Sequence, residues 1–146
     1  SSDLINKYLG RWYEIARYPN WFQENCYAVT ADYKLAEDGY SIEVINRCKD
    51  RQLNGEVREA EGIAHIVDSN TNAKLKVSFF WPFFGSYWII NIGENYEYAV
   101  VSEPKRQYLW ILSREPYMEE SKYNKLIKSL ANRNFDVSLI RATPQK

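Results

Sequence analysis

The sequence predicts an all-β chain: an eight-stranded antiparallel up-and-down barrel with one C-terminal helix packed outside. Three observations predict it. Short apolar runs that alternate with polar residues recur along the chain, separated by clusters of Gly, Asn and Asp. Aromatic residues make up 16% of the chain and concentrate in those runs, which favours a sheet with large side chains on one face. Only residues 119–133 repeat apolar side chains at helical spacing.

Length and charge bound the rest. The 146 residues suit a single domain over 1–146, and no linker or low-complexity tract divides them. Nineteen acidic and nineteen basic residues cancel, which argues against a nucleic-acid partner held by phosphate attraction and leaves small neutral or amphipathic ligands open. No apolar run approaches the roughly 20 residues that span a bilayer. The chain begins Ser1, Ser2, Asp3 without Met, consistent with a removed targeting segment, with or without a lipid-bearing cysteine.

The elements follow in order. Gly10 permits a tight turn into a first strand, from which Trp12 enters the interior and closes one end of the barrel. Residues 27–35 and 40–46 alternate on either side of Glu37, Asp38 and Gly39, a hairpin whose register brings Cys26 and Cys48 to the same far end. Residues 57–67 read as a long strand of mixed polarity, and 68–72 as a turn. Residues 74–79 alternate cleanly, with Leu75, Val77 and Phe79 on one face. In 79–85, five aromatic residues and Pro82 break the pattern, giving either a loop packed on the core or a greasy lip. Residues 87–92, 96–102 and 107–113 supply the last strands of the barrel, the first and last nearly continuous in apolar residues, as expected under a cover. The helix offers that cover with Tyr123, Leu126, Ile127 and Leu130, and Asn134 ends it. A short strand at 136–140 is expected to return to the sheet edge.

Alternating turns place Pro19 to Asn25 and the 80–85 loop at the end opposite Trp12. Trp21, Phe22, Trp81 and Phe83 then rim a mouth, with a membrane surface as a possible contact. At the closed end, the strand running into Arg114 sets a guanidinium where it can lie over Trp12. Chemistry finds little support. His65 is the only histidine, and it stands mid-strand without a second ligand at metal-site spacing. Neither a nucleophile elbow nor a phosphate-cradling glycine loop occurs, so no cofactor, metal or catalytic residue is expected.

Gly10, Arg11, Trp12 on the first strand, Glu94, Asn95, Tyr96 before the seventh and Arg114 after the eighth together resemble the motifs of the lipocalin family. The middle motif departs from the family's Thr-Asp-Tyr. The resemblance spans almost the whole chain, and the runs 12–17 and 109–114 are most similar to the bacterial lipocalin and apolipoprotein D branch. It implies a lipid-binding barrel of the bacterial envelope, outer-membrane anchored or periplasmic, or otherwise a secreted protein. Fatty acids or lysophospholipids are the implied ligands. It also implies an oxidising compartment, which with the hairpin register favours a Cys26–Cys48 disulfide worth about 3 kcal/mol in the chain-entropy model. A reactive thiol at the rim is the alternative.

Strand parity proposes the lining: Tyr27, Val29, Ala31 and Tyr33; Ile42, Val44 and Asn46; Val77 and Phe79; Tyr98 and Val100; and Trp110. The resemblance places Tyr33, Asn46 and Trp110 in the family's pocket. Three rivals stand beside lipid transport: an enzyme of the same fold acting through a free cysteine, a haem carrier ligated by His65, and a filled barrel that only contacts other proteins.

Overall fold

Gly10 opens the first strand at φ 97°, a backbone state that side chains rarely adopt, and a Cβ there would meet Arg114 Nη1 at 3.4 Å. From that turn run β1 (Gly10–Arg17), β2 (Cys26–Leu35), β3 (Ile42–Asp50), β4 (Val57–Ile66), β5 (Lys74–Phe79), β6 (Phe84–Ile92), β7 (Tyr98–Ser102) and β8 (Leu109–Ser113). A helix, α1 (Glu120–Asn132), and a short strand, β9 (Arg141–Ala142), complete the fold. The computed structural model describes residues 6–66, 74–79 and 84–146, of which 66, 74–79 and 84 are described by their backbone. The turn expected at 68–72 and the rim residues Trp81 and Phe83 lie outside the described residues, as do the side chains of Val77 and Phe79.

Each strand pairs antiparallel with the next, and β1 pairs with both β2 and β8, closing the eight strands on themselves. Closure is uneven. Gly10 to Tyr13 match Tyr33 to Thr30, but beyond Tyr13 the two strands part and the C-terminal segment enters the gap. Ala16 and Arg17 pair with Ala142 and Arg141, and Ala28 N–H donates to Pro144 C=O at 2.7 Å. The Gln145 amide then donates to the carbonyls of both Glu14 and Val29. The expected strand at 136–140 is therefore displaced: Asp136 caps a 3-10 turn at Val137–Leu139 by accepting from Ser138 N–H, and pairing starts only at Arg141.

Two cores follow from strand parity. The inner one joins Tyr8, Trp12, Ala31, Tyr33, Ile42, Val44, Ala64, Tyr87, Ile89, Ala99, Val101 and Leu112. The outer one sets Ala16, Val100, Leu109 and Ile111 against Leu126, Leu130 and Phe135, each buried leucine contributing about 2 kcal/mol. Helix α1 ends as its sequence foretells: Asn134 takes φ 68° and Phe135 N–H reaches back to Leu130 C=O.

Three expected lining positions are corrected. Tyr98 and Val100 face α1, and Ala99 and Val101 point inward instead, because they pair with the inward Leu112 and Trp110 of β8, and with both faces of β7 buried the apolar pattern does not mark the inner one. Tyr27 leaves the inner face because β2 is irregular between Tyr27 and Thr30, with Ala28 at φ 50°, so that Cys26 and Val29 take the inward positions. Ile42 does point inward, but it packs in the inner core rather than on the cavity wall.

Candidate functional site

The closed end is built on Trp12, which is fully buried and donates its indole N–H to Tyr8 C=O at 2.8 Å. The Arg114 guanidinium lies 3.8 Å from the Trp12 ring centre. Its two amino groups donate to the carbonyls of Arg11, Lys7 and Leu9 at 2.7–2.9 Å, so one side chain ties the N-terminal segment beneath the ring. Above the floor the hydroxyls of Tyr8 and Tyr33 each bond Tyr87, at 2.5 and 2.7 Å. Burial pushes the Tyr33 phenol up to about 12, and raises Tyr8 and Tyr87 well above the ordinary value.

Over this cluster opens a cavity of about 330 Å³ between the strands. Val29, Ala31, Tyr33, Val44, Asn46 and Trp110 of the expected set line it, and Phe22 stands at its rim. Trp21 turns outward instead and is 59% exposed beside Phe22. The Cys26–Cys48 disulfide forms part of the wall. Since these are the chain's two cysteines, the alternative of a reactive thiol falls. His65 is exposed on the outer face, 3.4 Å from Ser41 Oγ, because its neighbour Ala64 takes the inward position, so it is not placed to ligate a haem inside the barrel. A second hollow, outside the barrel near Arg114, is an open groove between Lys7, Tyr96, Tyr117 and Lys122.

Sequence reading missed several wall residues. Ala60, Tyr87 and Leu112 line the cavity, and Ala60, Gly62 and Ala64 form a small-residue face whose spacing of two was visible in the sequence. Glu14 is a further wall residue, one without a sequence signal. It is 2% exposed, shares the inward face of β1 with Trp12, and lines the cavity. Arg17 donates to it at 2.6 Å, the Gln23 amide at 2.9 Å, and the Thr143 hydroxyl also donates to it. Gln23 in turn accepts the Trp110 indole N–H at 2.8 Å and the Asn20 amide at 2.7 Å. Four distant pieces of chain are thereby fastened to one carboxylate: β1, the rim turn, β8 and the C-terminal segment. No pattern in sequence announces partners 9 and 129 residues away.

The family follows from the whole chain. Residues 3–145 match the model of the lipocalin-like domain. This chain belongs to the lipocalin family. The outer membrane lipoprotein Blc of Vibrio cholerae is 45% identical to the lipocalin over 135 residues, covering 92% of this chain and 78% of that protein. Bovine apolipoprotein D is 36% identical over 151 residues, covering 97% and 76%. Among solved structures, lobster apocrustacyanin A1 superposes with a TM-score of 0.79 at 18% identity, covering all of this lipocalin and 82% of that chain, a likeness of fold. Among the described residues no group of His, Cys, Asp and Glu is placed to hold a metal ion.

Proposed function

We propose that this lipocalin works as one domain that binds and carries a small hydrophobic or amphipathic ligand, a fatty acid or lysophospholipid, with the tail in the barrel and the head at the mouth. The single observation that carries the reading is the cavity itself. At about 330 Å³ it sits at the small end of ligand pockets, and its walls combine Val29, Ala31, Val44 and Leu112 with a few polar groups, Asn46 among them. A filled barrel would offer no such space. About ten buried methylenes gain on the order of 8 kcal/mol gross, which reaches micromolar affinity only where a preformed cavity keeps the costs of immobilisation small.

Likeness to bacterial outer membrane lipoproteins supports a place in the cell envelope, as a lipid-anchored or periplasmic protein engaged in lipid transport or membrane maintenance. The exposed Trp21 at the mouth supports contact with a membrane surface during loading. Binding rather than turnover is the activity proposed.

The test is fluorescence titration with a medium-chain fatty acid and with a lysophospholipid, paired with calorimetry. Trp110 lines the cavity and reports occupancy. A saturable change near micromolar ligand, lost in Trp110→Phe while the heat of binding persists, supports the reading. No heat and no spectral change with either ligand refutes it.

A further inference from the structure

At its mouth the cavity wall carries a cation whose hydrogen bonds reach only neutral groups. Arg58 shares the inner face of β4 with Ala60, Gly62 and Ala64, lines the cavity, and pairs in register with Cys48 of the wall disulfide. Its guanidinium extends to the rim turn, donating to the Glu24 carbonyl at 2.9 Å and to the Phe22 carbonyl at 3.3 Å. Those two bonds use two of the five N–H groups that an arginine carries. The carboxylate beside it, Asp50, stands off at 3.6 Å and faces Arg51 at 3.7 Å as well. The Arg58 side chain is 42% exposed, so its remaining donors are within reach of a ligand entering the mouth.

The other charges of the wall are matched. Arg47 binds Asp32 at 3.0 Å and Glu59 at 2.7 Å, and Glu14 holds Arg17 at 2.6 Å. Arg58 differs from them in having peptide carbonyls for its close partners, and a carboxylate or phosphate oxygen makes a stronger, charge-assisted bond to a guanidinium than a carbonyl does. Position favours the same pairing. An anion held at the half-exposed mouth keeps part of its water, whereas one drawn deeper would be desolvated among paired charges and apolar walls. Below Arg58 the inner face of β4 is built of Ala60, Gly62 and Ala64, roughly 20 Å of strand without a bulky side chain. A tail hung from the guanidinium therefore has room to run down that face.

We infer that Arg58 selects the head group: it favours ligands whose polar end is an anionic oxygen group, a carboxylate or a phosphate, over neutral amphiphiles with the same tail. This inference rests on the cavity reading and adds to it the charge of the head and the residue that reads it.

The experiment compares, by calorimetry below their micelle concentrations, a saturated fatty acid, an alkyl phosphate and a primary alcohol of one chain length. The dissociation constant of the alcohol divided by that of each anion is measured in the wild type, in Arg58→Gln and in Arg11→Gln, which deletes an equal charge from an exposed side chain at the closed end. Both ratios are about five or more in the wild type, the ratio for the favoured anion falls about fivefold in Arg58→Gln, and both stay within about twofold in Arg11→Gln. The anion whose ratio falls further identifies carboxylate or phosphate as the preferred head. Anions that bind the wild type no tighter than the alcohol, a preference that survives Arg58→Gln, or an equal fall in Arg11→Gln overturns the selector and leaves the cavity reading standing. Failure of all three ligands to bind the wild type overturns both. Because Arg58 also fastens the rim turn, a second readout uses the wild type alone: the carbon-13 carboxyl resonance of the bound fatty acid titrates at lower pH than the same carboxyl in a neutral detergent micelle. Titration at or above the micelle value overturns the selector.

Discussion

Replacing Arg114 by Met removes the strap beneath the barrel while keeping a chain long enough to touch the Trp12 ring. Three hydrogen bonds are lost, of which that to the Leu9 carbonyl is part-buried and those to Lys7 and Arg11 are exposed. Water replaces the exposed pair at little net cost, so about 1.5 kcal/mol is assigned to the Leu9 bond and about 0.5 to each of the others. The stacking of the cation at 3.8 Å from Trp12 adds about 1 kcal/mol, for a total of about 3.5 kcal/mol. For a chain of 146 residues that corresponds to a fall in Tm of about 11 °C. Urea unfolding at fixed pH, followed by far-UV circular dichroism, measures it. Arg114→Lys restores less than half of the loss, because one ammonium cannot fan across three carbonyls and stack on the ring together. The reasoning is refuted if Arg114→Met lies within about 0.5 kcal/mol of the wild type, or if Lys serves as well as Arg, since both results would reduce the strap to a surface contact.

Two further outcomes follow from the interior. Glu14→Gln leaves Arg17, 15% exposed, without its carboxylate and weakens the hold on Thr143; a loss of about 2 kcal/mol in urea unfolding is expected, and one below about 0.5 would show that the carboxylate is not what fastens the rim. The tyrosine cluster sets an alkaline limit. Burial raises the folded-state Tyr33 phenol to about 12 against about 10 unfolded, so its share of stability is whole below pH about 10 and is lost as pH climbs toward 12. Tyrosinate absorbance should therefore reach its full amplitude only as the circular dichroism of the fold collapses; ionisation of all twelve tyrosines near pH 10 with the fold intact would contradict the burial argument.

How much was legible varies by residue. The hairpin carrying Cys26 and Cys48 could be read because its register counts back from a turn at Asp38 and Gly39, and the observed pairs Cys26 with Asp50 and Tyr33 with Val44 keep the two sulfurs at one end. Helix α1 could be read because its apolar period lies within thirteen residues. Tyr98 and Val100 were misjudged for a physical reason: with both faces of β7 buried, alternation carries no sign to tell inside from outside. Tyr27 was misjudged because one irregularity at Ala28 shifts parity, and alanine carries no mark of a positive φ.

The sequence by itself determined the elements, their order, the turn at Gly10 and the residue types of the cavity, since these depend on neighbours a few positions away. Only the tertiary structure decided which face of a doubly covered strand looks inward, that the C-terminal segment fills the gap between β1 and β2, and that Glu14 gathers Arg17, Gln23 and Thr143. It also decided that three tyrosines from the N-terminal segment, β2 and β6 meet on one floor with their hydroxyls bonded to one another. Those arrangements join groups up to 129 residues apart, and closing the barrel is the event that brings them within a hydrogen bond of each other.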